Sequence, residues 1–142
     1  MRVHDVLRRK GGDVVTVRPG ATVRELLDVL AEHRIGALVV SGDGKAVEGI
    51  VSERDIVRRL HDRGPAVLDA LVTDIMTGEV STCGPDEHLE NLMALMTNNR
   101  FRHVPVVTDG ALVGIISIGD VVKHRMDELQ SERDQLVGYI SR

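Results

Sequence analysis

The sequence is poor in cysteine and in aromatic residues. Cys83 is the only cysteine among 142 residues, so an internal disulfide and a multi-cysteine zinc site are excluded and a cytoplasmic setting is expected. One Phe, one Tyr and no Trp are present, so the core must be packed from Val, Leu, Ile, Met and Ala. Branched aliphatic residues at this density favour a sheet covered by helices.

The chain also lacks a basic excess and a long apolar run. Its formal net charge is −4, and no Lys/Arg block or set of interleaved aromatics indicates nucleic-acid binding. No stretch approaches the roughly 20 apolar residues that span a bilayer, and no apolar signal core follows Met1. With 42% hydrophobic and 28% charged residues, the composition is typical of a globular domain with neither nucleic acid nor membrane as a partner.

Two stretches of the chain match each other in order and spacing. The first runs from Val3 to His61 and the second from Val72 to Lys123. The match includes the openings Asp-Val-Leu and Asp-Ile-Met and the Gly-hydrophobic-hydrophobic-Ser segments that start at Gly49 and Gly114. The first copy carries three extra residues around Arg8 to Gly11. A duplicated structural unit is therefore predicted.

Each copy has the pattern of a βαββα unit. Short apolar runs at 14–17 and 80–83 predict first strands, and each precedes a segment with helical spacing of apolar residues. Thr22, with Glu25 three residues on, is a candidate helix N-cap. Two further strands joined by a tight turn follow in each copy, and a second helix starts at Ser52 or Ser117.

One such unit would leave an apolar sheet face in water, so two units are expected to cover each other. The prediction is an α/β fold with two βαββα repeats packed sheet to sheet about a pseudo-twofold axis. The boundaries are 1–62 for repeat one, 63–126 for repeat two and 127–142 for a helical extension. This arrangement leaves two equivalent clefts between the repeats, and clefts of that kind are where small ligands are usually bound.

The strand-to-helix turns carry the most informative pattern, Ser-x-x-Asp, once as Ser52 to Asp55 and once as Ser117 to Asp120. A helix N-terminus and a serine hydroxyl favour an anion such as phosphate, and an Asp three residues on can accept two ribose hydroxyls. The alternative is a capping box, in which the two side chains only satisfy the helix start. The spacing alone leaves both interpretations open.

Taken together, these segments resemble a cystathionine-β-synthase-type (CBS) domain pair, also called a Bateman module. The resemblance rests on the two Gly-hydrophobic-hydrophobic-Ser-x-x-Asp segments, the strand segments at 36–40 and 103–107, and the paired openings, and it extends from Val3 to about Met126. It implies a non-enzymatic regulatory module that binds an adenine nucleotide, such as AMP, ADP, ATP or NAD(H), between the repeats. S-adenosylmethionine is an alternative ligand, and an interaction scaffold with empty clefts is an alternative function.

The resemblance also assigns residues to the two clefts. Asp55 and Asp120 would hold the riboses, while the serines would meet phosphate or the ribose edge. Strand residues would frame the adenine, and arginine side chains with His103 would neutralise phosphate unless the arginines are merely solvated surface charges. The residues expected at the nucleotide are Thr16, Gly36, Ala37, Ser52, Arg54, Asp55, Thr82, Arg102, His103, Val104, Ser117 and Asp120.

The two clefts are not expected to be chemically identical. Gly119 stands where the first repeat has Arg54, and Gly36 and Ala37 stand where the second has Arg102 and His103. One cleft could therefore take AMP and the other a larger or differently charged adenylate.

The remaining polar residues give no pattern for catalysis or for metal binding. The six histidines form no His-x-x-x-His pair, and Cys83 has no activating partner in sequence, so it is expected to pack in the core. No Walker-type loop or dinucleotide fingerprint is present. We therefore expect no catalytic residue, no metal and no required cofactor.

The stretch from Gly119 to Arg142 predicts one long amphipathic helix with apolar residues near one face and Arg133 interrupting it. Such a tail needs a partner surface, and self-association into a homodimer is expected because homodimers are the commonest assembly. A regulatory output is expected to act in trans on an effector protein.

Overall fold

The computed structural model describes residues 1–11 and 13–141. It contains two repeats of helices and strands and a long last helix, which confirms the predicted α/β architecture; the first repeat is βαββα, and the second keeps only a single bridge of its first strand. Two short 3-10 helices, Pro65–Asp69 and Val72–Asp74, link the repeats. The other elements are α1 (Val3–Lys10), β1 (Thr16–Val17), α2 (Val23–His33), β2 (Ala37–Val40), β3 (Gly49–Ser52), α3 (Glu53–Arg63), α4 (Leu89–Asn99), β4 (His103–Thr108), β5 (Ala111–Ser117) and α5 (Ile118–Ile140).

The first repeat builds a three-stranded sheet in the order β1-β2-β3. Strand β1 pairs parallel to β2, with Val17 opposite Val40, and β2 pairs antiparallel to β3, with Leu38 opposite Val51. All four residues of β2 are buried, as expected for a central strand made of Ala, Leu and Val.

The second repeat keeps the β4-β5 hairpin but loses most of the first strand predicted at 80–83. Only Cys83 pairs, parallel to Val106, which is the counterpart of the Val17–Val40 pair. The neighbouring position on β4 is Pro105, which has no N–H to donate, so the pairing cannot extend toward residue 82. Pro105 still accepts a bond through its carbonyl from the Cys83 amide at 3.0 Å.

The predicted hairpin turn of repeat two and the predicted N-cap of α2 are present, whereas residues 41–48 form a longer connection between β2 and β3 in place of the tight turn predicted there. Asp109 and Gly110 have positive φ of 52° and 80°, as a tight hairpin turn with the right-handed strand twist requires. Thr22 caps α2 by accepting a hydrogen bond from the Glu25 amide at 3.2 Å. The prediction of Thr22 as an N-cap is therefore confirmed.

The opening segments of the two repeats are exchanged. The Val3 amide at the start of α1 donates to the Glu87 carbonyl of repeat two at 2.9 Å. In reverse, the Val72 amide donates to the Ala21 carbonyl of repeat one at 2.8 Å. Each opening segment thus packs on the other repeat.

Two hydrophobic cores result from this exchange. One combines the sheet and helices of repeat one with Val72 and Ile75, and the other combines repeat two with Val3 and Val6. Val3, Val6 and Val72 are each 0% exposed. The exchange therefore locks the repeats together and fixes how their facing edges meet.

Ser117 caps the start of helix α5, as expected, and the helix continues beyond both cores to Ile140. Val121 and His124 in its first turns are buried, whereas every side chain from Leu129 to Ile140 is exposed. Its second half therefore extends away from the folded body as a free helical arm.

Candidate functional site

The end of β3 turns directly into α3 at Ser52, and a capping box closes the turn. The Ser52 amide and hydroxyl both donate to Oδ2 of Asp55, at 2.8 and 3.0 Å, and the Asp55 amide donates back to the Ser52 hydroxyl at 3.3 Å. The capping interpretation is thus correct for this turn. The capping bonds leave acceptor positions of the Asp55 carboxylate unused, because a carboxylate has about four of them. In particular, Oδ1 accepts no hydrogen bond from the residues that the structure describes.

A cleft of about 510 Å³ opens at this turn, between the two repeats. This volume lies in the range that suits small-molecule ligands. Repeat one contributes the end of β3, the start of α3 and the start of β2, and repeat two contributes residues 77, 79–81 and 99–103. The lining residues are Gly36, Ala37, Ile50, Ser52, Glu53, Arg54, Asp55, Arg58, Thr77, Glu79, Val80, Ser81, Asn99, Arg100, Phe101, Arg102 and His103.

Seven of the twelve sequence-selected residues line this cleft. They include the Ser52 and Asp55 turn together with side chains that are distant in sequence. The seven are Gly36, Ala37, Ser52, Arg54, Asp55, Arg102 and His103.

The other five residues lie elsewhere. Thr16 is in β1, and Val104 is 0% exposed in the second core. Thr82 is exposed next to the cleft residue Ser81. Ser117 and Asp120 form the second turn, described below.

Sequence reasoning missed two arginines of the cleft, Arg58 and Arg100. Arg58 lies one helical turn beyond Arg54 and Asp55, so its position on the same face of α3 could have been deduced from i,i+3 and i,i+4 spacing. Arg100 directly follows the last residue of α4 and has a left-handed conformation with φ of 57°. No local sequence pattern indicated that its side chain lines the cleft. Four arginines and three carboxylates therefore line the cleft.

The amides at the start of α3 are less available to an anion than the sequence suggested. The Glu53 amide donates to the Gly36 carbonyl at 2.9 Å, and the Asp55 amide is used by Ser52. Phosphate coordination in this cleft would therefore depend mainly on the arginine side chains, whose planar forks match phosphate oxygens.

The second turn has the same capping box but a different neighbour. The Ser117 amide donates to Oδ2 of Asp120 at 2.9 Å, and the Asp120 amide donates to the Ser117 hydroxyl at 3.1 Å. The same Oδ2 accepts a hydrogen bond from Nζ of Lys10 at 2.7 Å. Burial raises the pKa of Asp120, but the Lys10 and Ser117 bonds outweigh this effect, so its pKa lies below the ordinary value.

His103 lies between the two turns. Burial lowers its pKa below the ordinary value, and the positive charges of Lys10 and Arg102 act in the same direction, against the carboxylates of Asp120 and Glu53. The imidazole is therefore biased toward its neutral form, and an added phosphate would favour the protonated form.

Neither a reactive thiol nor a metal cluster is found within residues 1–11 and 13–141. Burial and the nearby Glu87 carboxylate raise the pKa of Cys83 to about 11, so the thiol stays protonated near neutral pH. No group of three or more potential metal ligands occurs in this part of the chain.

Comparison with known proteins decides the family. A family model described as CBS domain matches residues 3–62 and 72–127. The chain belongs to the CBS-domain family. The CBS-pair interpretation of the sequence is thereby confirmed, and the cleft lies between the two CBS domains.

Relatives are similar over nearly the whole chain. A mitochondrial CBS domain-containing protein of Arabidopsis thaliana, CBSX3, is 36% identical over 97% of this chain and 71% of its own length. The crystal structure of a CBS-domain containing protein from Agrobacterium tumefaciens has a TM-score of 0.84 at 48% identity and covers 88% of this chain and 99% of that one.

One solved relative contains adenosine compounds. The CBS domain pair of protein MJ0100, in complex with 5′-methylthioadenosine and S-adenosyl-L-methionine, has a TM-score of 0.77 at 25% identity and covers 87% of this chain and 98% of that one. That CBS pair thus binds adenosine-containing ligands. In the described residues of the present chain, no helix combines the length and apolar character needed to cross a membrane.

Proposed function

We propose that this CBS pair is a non-catalytic regulatory module that binds an adenine nucleotide in the Asp55 cleft. The observation that carries the proposal is the convergence of Asp55 and four arginines on one cleft between the repeats. Oδ1 of Asp55 would accept the ribose hydroxyls, and the strand ends at Gly36 and Ala37 would flank the base. No member of this set needs to act as a base or nucleophile.

The arginines favour a phosphorylated nucleotide, such as AMP, ADP, ATP or NAD(H). Arg54 and Arg58 come from α3, and Arg100 and Arg102 come from the facing repeat, so a phosphate group between them would bridge the two CBS domains. A ligand held in this way binds most tightly when the arginines of both repeats face the same phosphate, which is the differential affinity that a regulatory signal requires.

A second candidate ligand is S-adenosylmethionine, because the MJ0100 pair was solved with it. This ligand also carries a ribose and an adenine but has a sulfonium in place of phosphate. The arginine-rich lining of the cleft favours the nucleotide.

Binding is tested by calorimetry and thermal unfolding with AMP, ADP, ATP, NAD and S-adenosylmethionine. A ligand at about 100 times its dissociation constant stabilises the folded state by roughly 2.7 kcal/mol. The Asp55→Asn variant removes the charged ribose acceptor, and we expect about ten- to hundredfold weaker binding, since hydrogen bonds to charged groups contribute roughly 1.5–3 kcal/mol.

The matched control is Asp5→Asn. Asp5 accepts the Arg2 amide at 2.9 Å in the same kind of helix-start bond on α1, and it does not line the cleft. Equal losses in the two variants would show that Asp55 acts only through folding. A flat response to every adenylate would favour an interaction scaffold with empty clefts, and tighter binding of S-adenosylmethionine would favour that sensor.

We further propose that the module is a cytoplasmic homodimer and that it signals to a separate effector protein. The exposed apolar face of α5 supports both self-association and an effector contact, because free apolar side chains on a helix favour a partner surface.

A further inference from the structure

The two halves of the molecule also differ at the backbone next to the Ser-x-x-Asp turns. In repeat one, Ile50 exchanges two backbone hydrogen bonds with Thr77, at 3.0 and 2.9 Å. The equivalent residue in repeat two is Ile115, and its carbonyl accepts instead from Nζ of Lys10 at 2.9 Å. A lysine side chain thus takes the place of a backbone pairing.

The three extra residues of repeat one account for this difference. They extend the opening of repeat one into the eight-residue helix α1, which ends at Lys10, whereas the opening of repeat two is the three-residue 3-10 helix Val72–Asp74. Because the openings are exchanged, the end of α1 reaches the turn of repeat two. There, the ammonium group contacts both the Ile115 carbonyl and Asp120.

We propose that Lys10 prevents a nucleoside from binding at the Asp120 turn, so that the module binds a single nucleotide, at Asp55. This inference rests on the proposed function of the Asp55 cleft. It assigns to α1 the role of making the two Ser-x-x-Asp turns unequal in ligand binding.

The contact weakens Asp120 as a ribose acceptor. The Lys10 ammonium bonds Oδ2 of Asp120 at 2.7 Å and neutralises the carboxylate, so Oδ1 is left as a weaker acceptor for neutral hydroxyl groups than Oδ1 of Asp55. The Asp120 side chain is 23% exposed, so this pair is only partly screened by water. At Asp55, the equivalent oxygen is bonded by the neutral Ser52 hydroxyl instead.

The phosphate groups of a ligand would also find fewer partners near Asp120. Gly119 occupies the position equivalent to Arg54, and Gly36 occupies the position equivalent to Arg102. Arg34 and Lys123 match Arg100 and Arg58. A nucleotide at Asp120 would therefore have two basic counterparts of the four arginines at Asp55 and would have to disturb the Lys10 contact.

The test is calorimetric stoichiometry with the nucleotide that binds the wild-type chain best. In Lys10→Met, which keeps the length of the side chain but not its charge, we expect the number of bound nucleotides to double. Adding Asp120→Asn to the Lys10→Met variant is expected to remove only the new site. Asp55→Asn in the wild-type chain is expected to remove the original site.

Arg9→Met is the matched control. Arg9 precedes Lys10 on α1 and forms a 3.7 Å ion pair with Asp127, with 59% of its side chain exposed. The substitution removes the same charge from the same helix and is expected to leave the stoichiometry unchanged. Lys10→Ala serves as a second variant, and circular dichroism of each variant checks its fold.

Three results would overturn the inference. One is an unchanged stoichiometry in both Lys10 variants, with Asp55-dependent binding intact. Another is loss of binding in Lys10→Met, which would make Lys10 a ligand contact. The third is a wild-type stoichiometry that falls in Asp120→Asn. If neither the wild type nor the Lys10 variants bind any adenylate, the proposed function itself fails.

Discussion

Gly49 and Gly114, at equivalent positions of the two repeats, lie where the exchanged opening segments come closest to the sheets. A Cβ on Gly49 would collide with the Met76 side chain and would lie 3.0 Å from the Thr77 carbonyl. The three atoms nearest to a Cβ on Gly114 all belong to the Leu7 side chain. At Gly49 a backbone atom would have to move to make room for a Cβ, whereas at Gly114 a change in the Leu7 side chain is enough.

We expect Gly49→Ala to lower the free energy of unfolding by roughly 1–3 kcal/mol, the usual cost of overpacking. The Thr77 carbonyl cannot move away easily, because it accepts the Ile50 amide at 3.0 Å. Gly114→Ala should cost less, since Leu7 can change its rotamer. Urea denaturation measures both, and Gly20→Ala, with no atom within 4 Å of the added Cβ, is the control. A larger loss in Gly114→Ala would contradict this account.

At the scale of elements, α5 combines two structural roles. Its first turns pack Val121 and His124 into the body, and its later turns leave apolar side chains in solvent, with Leu136 at 62%, Tyr139 at 76% and Ile140 at 77% exposure. The alternating three- and four-residue spacing of Val122, Met126, Leu129, Arg133, Leu136 and Ile140 is the spacing of a two-stranded coiled coil. Arg133 is the only charged residue in that series.

We expect the proposed homodimer to form through this helix. Truncation after Glu128 removes the free arm and is expected to convert a dimer to a monomer in analytical ultracentrifugation, while nucleotide binding at Asp55 persists. Arg133→Leu makes every residue of the series apolar. It should lower the dissociation constant of the dimer, because apolar residues at this spacing pack against the partner helix. A truncated chain that remains dimeric would place the dimer contact on another surface.

The elements also show which features the sequence could predict. The Ser-x-x-Asp turns, the Thr22 cap and the Asp109-Gly110 hairpin were predicted correctly because each depends on residues within four positions of one another. The strand at 80–83 was wrong because the prediction took no account of Pro105 on the neighbouring strand. The Lys10–Asp120 contact joins residues 110 positions apart, so no local pattern could indicate it.

At the scale of the whole molecule, the exchanged openings make the two repeats one cooperative unit. Repeat matching in the sequence identified Val3 and Val72 as equivalent, but both residues are compatible with packing in either repeat. Only the three-dimensional arrangement shows that Val3 and Val6 complete the core of repeat two.

We therefore expect Val6→Ala to weaken repeat two first, although the residue belongs to repeat one. Removing two buried methyl groups should cost roughly 2 kcal/mol, counting the lost burial and a small cavity. Hydrogen exchange with mass spectrometry should show faster exchange in β4 and β5 than in β1 to β3. Val113→Ala, at a side chain that is 38% exposed, is the control and should change stability little. Faster exchange confined to repeat one would contradict the exchanged packing.

The exchange of openings has a consequence for the ancestry of this architecture. A polypeptide with a single repeat could complete its core only by borrowing the opening of a second copy, so it would exist as an intertwined pair of identical chains. Joining the copies in tandem makes that borrowing intramolecular and independent of protein concentration. It also allows the two copies to differ, and in this chain Lys10 lies among the extra residues of one copy and Arg102 stands in the other where the first has Gly36.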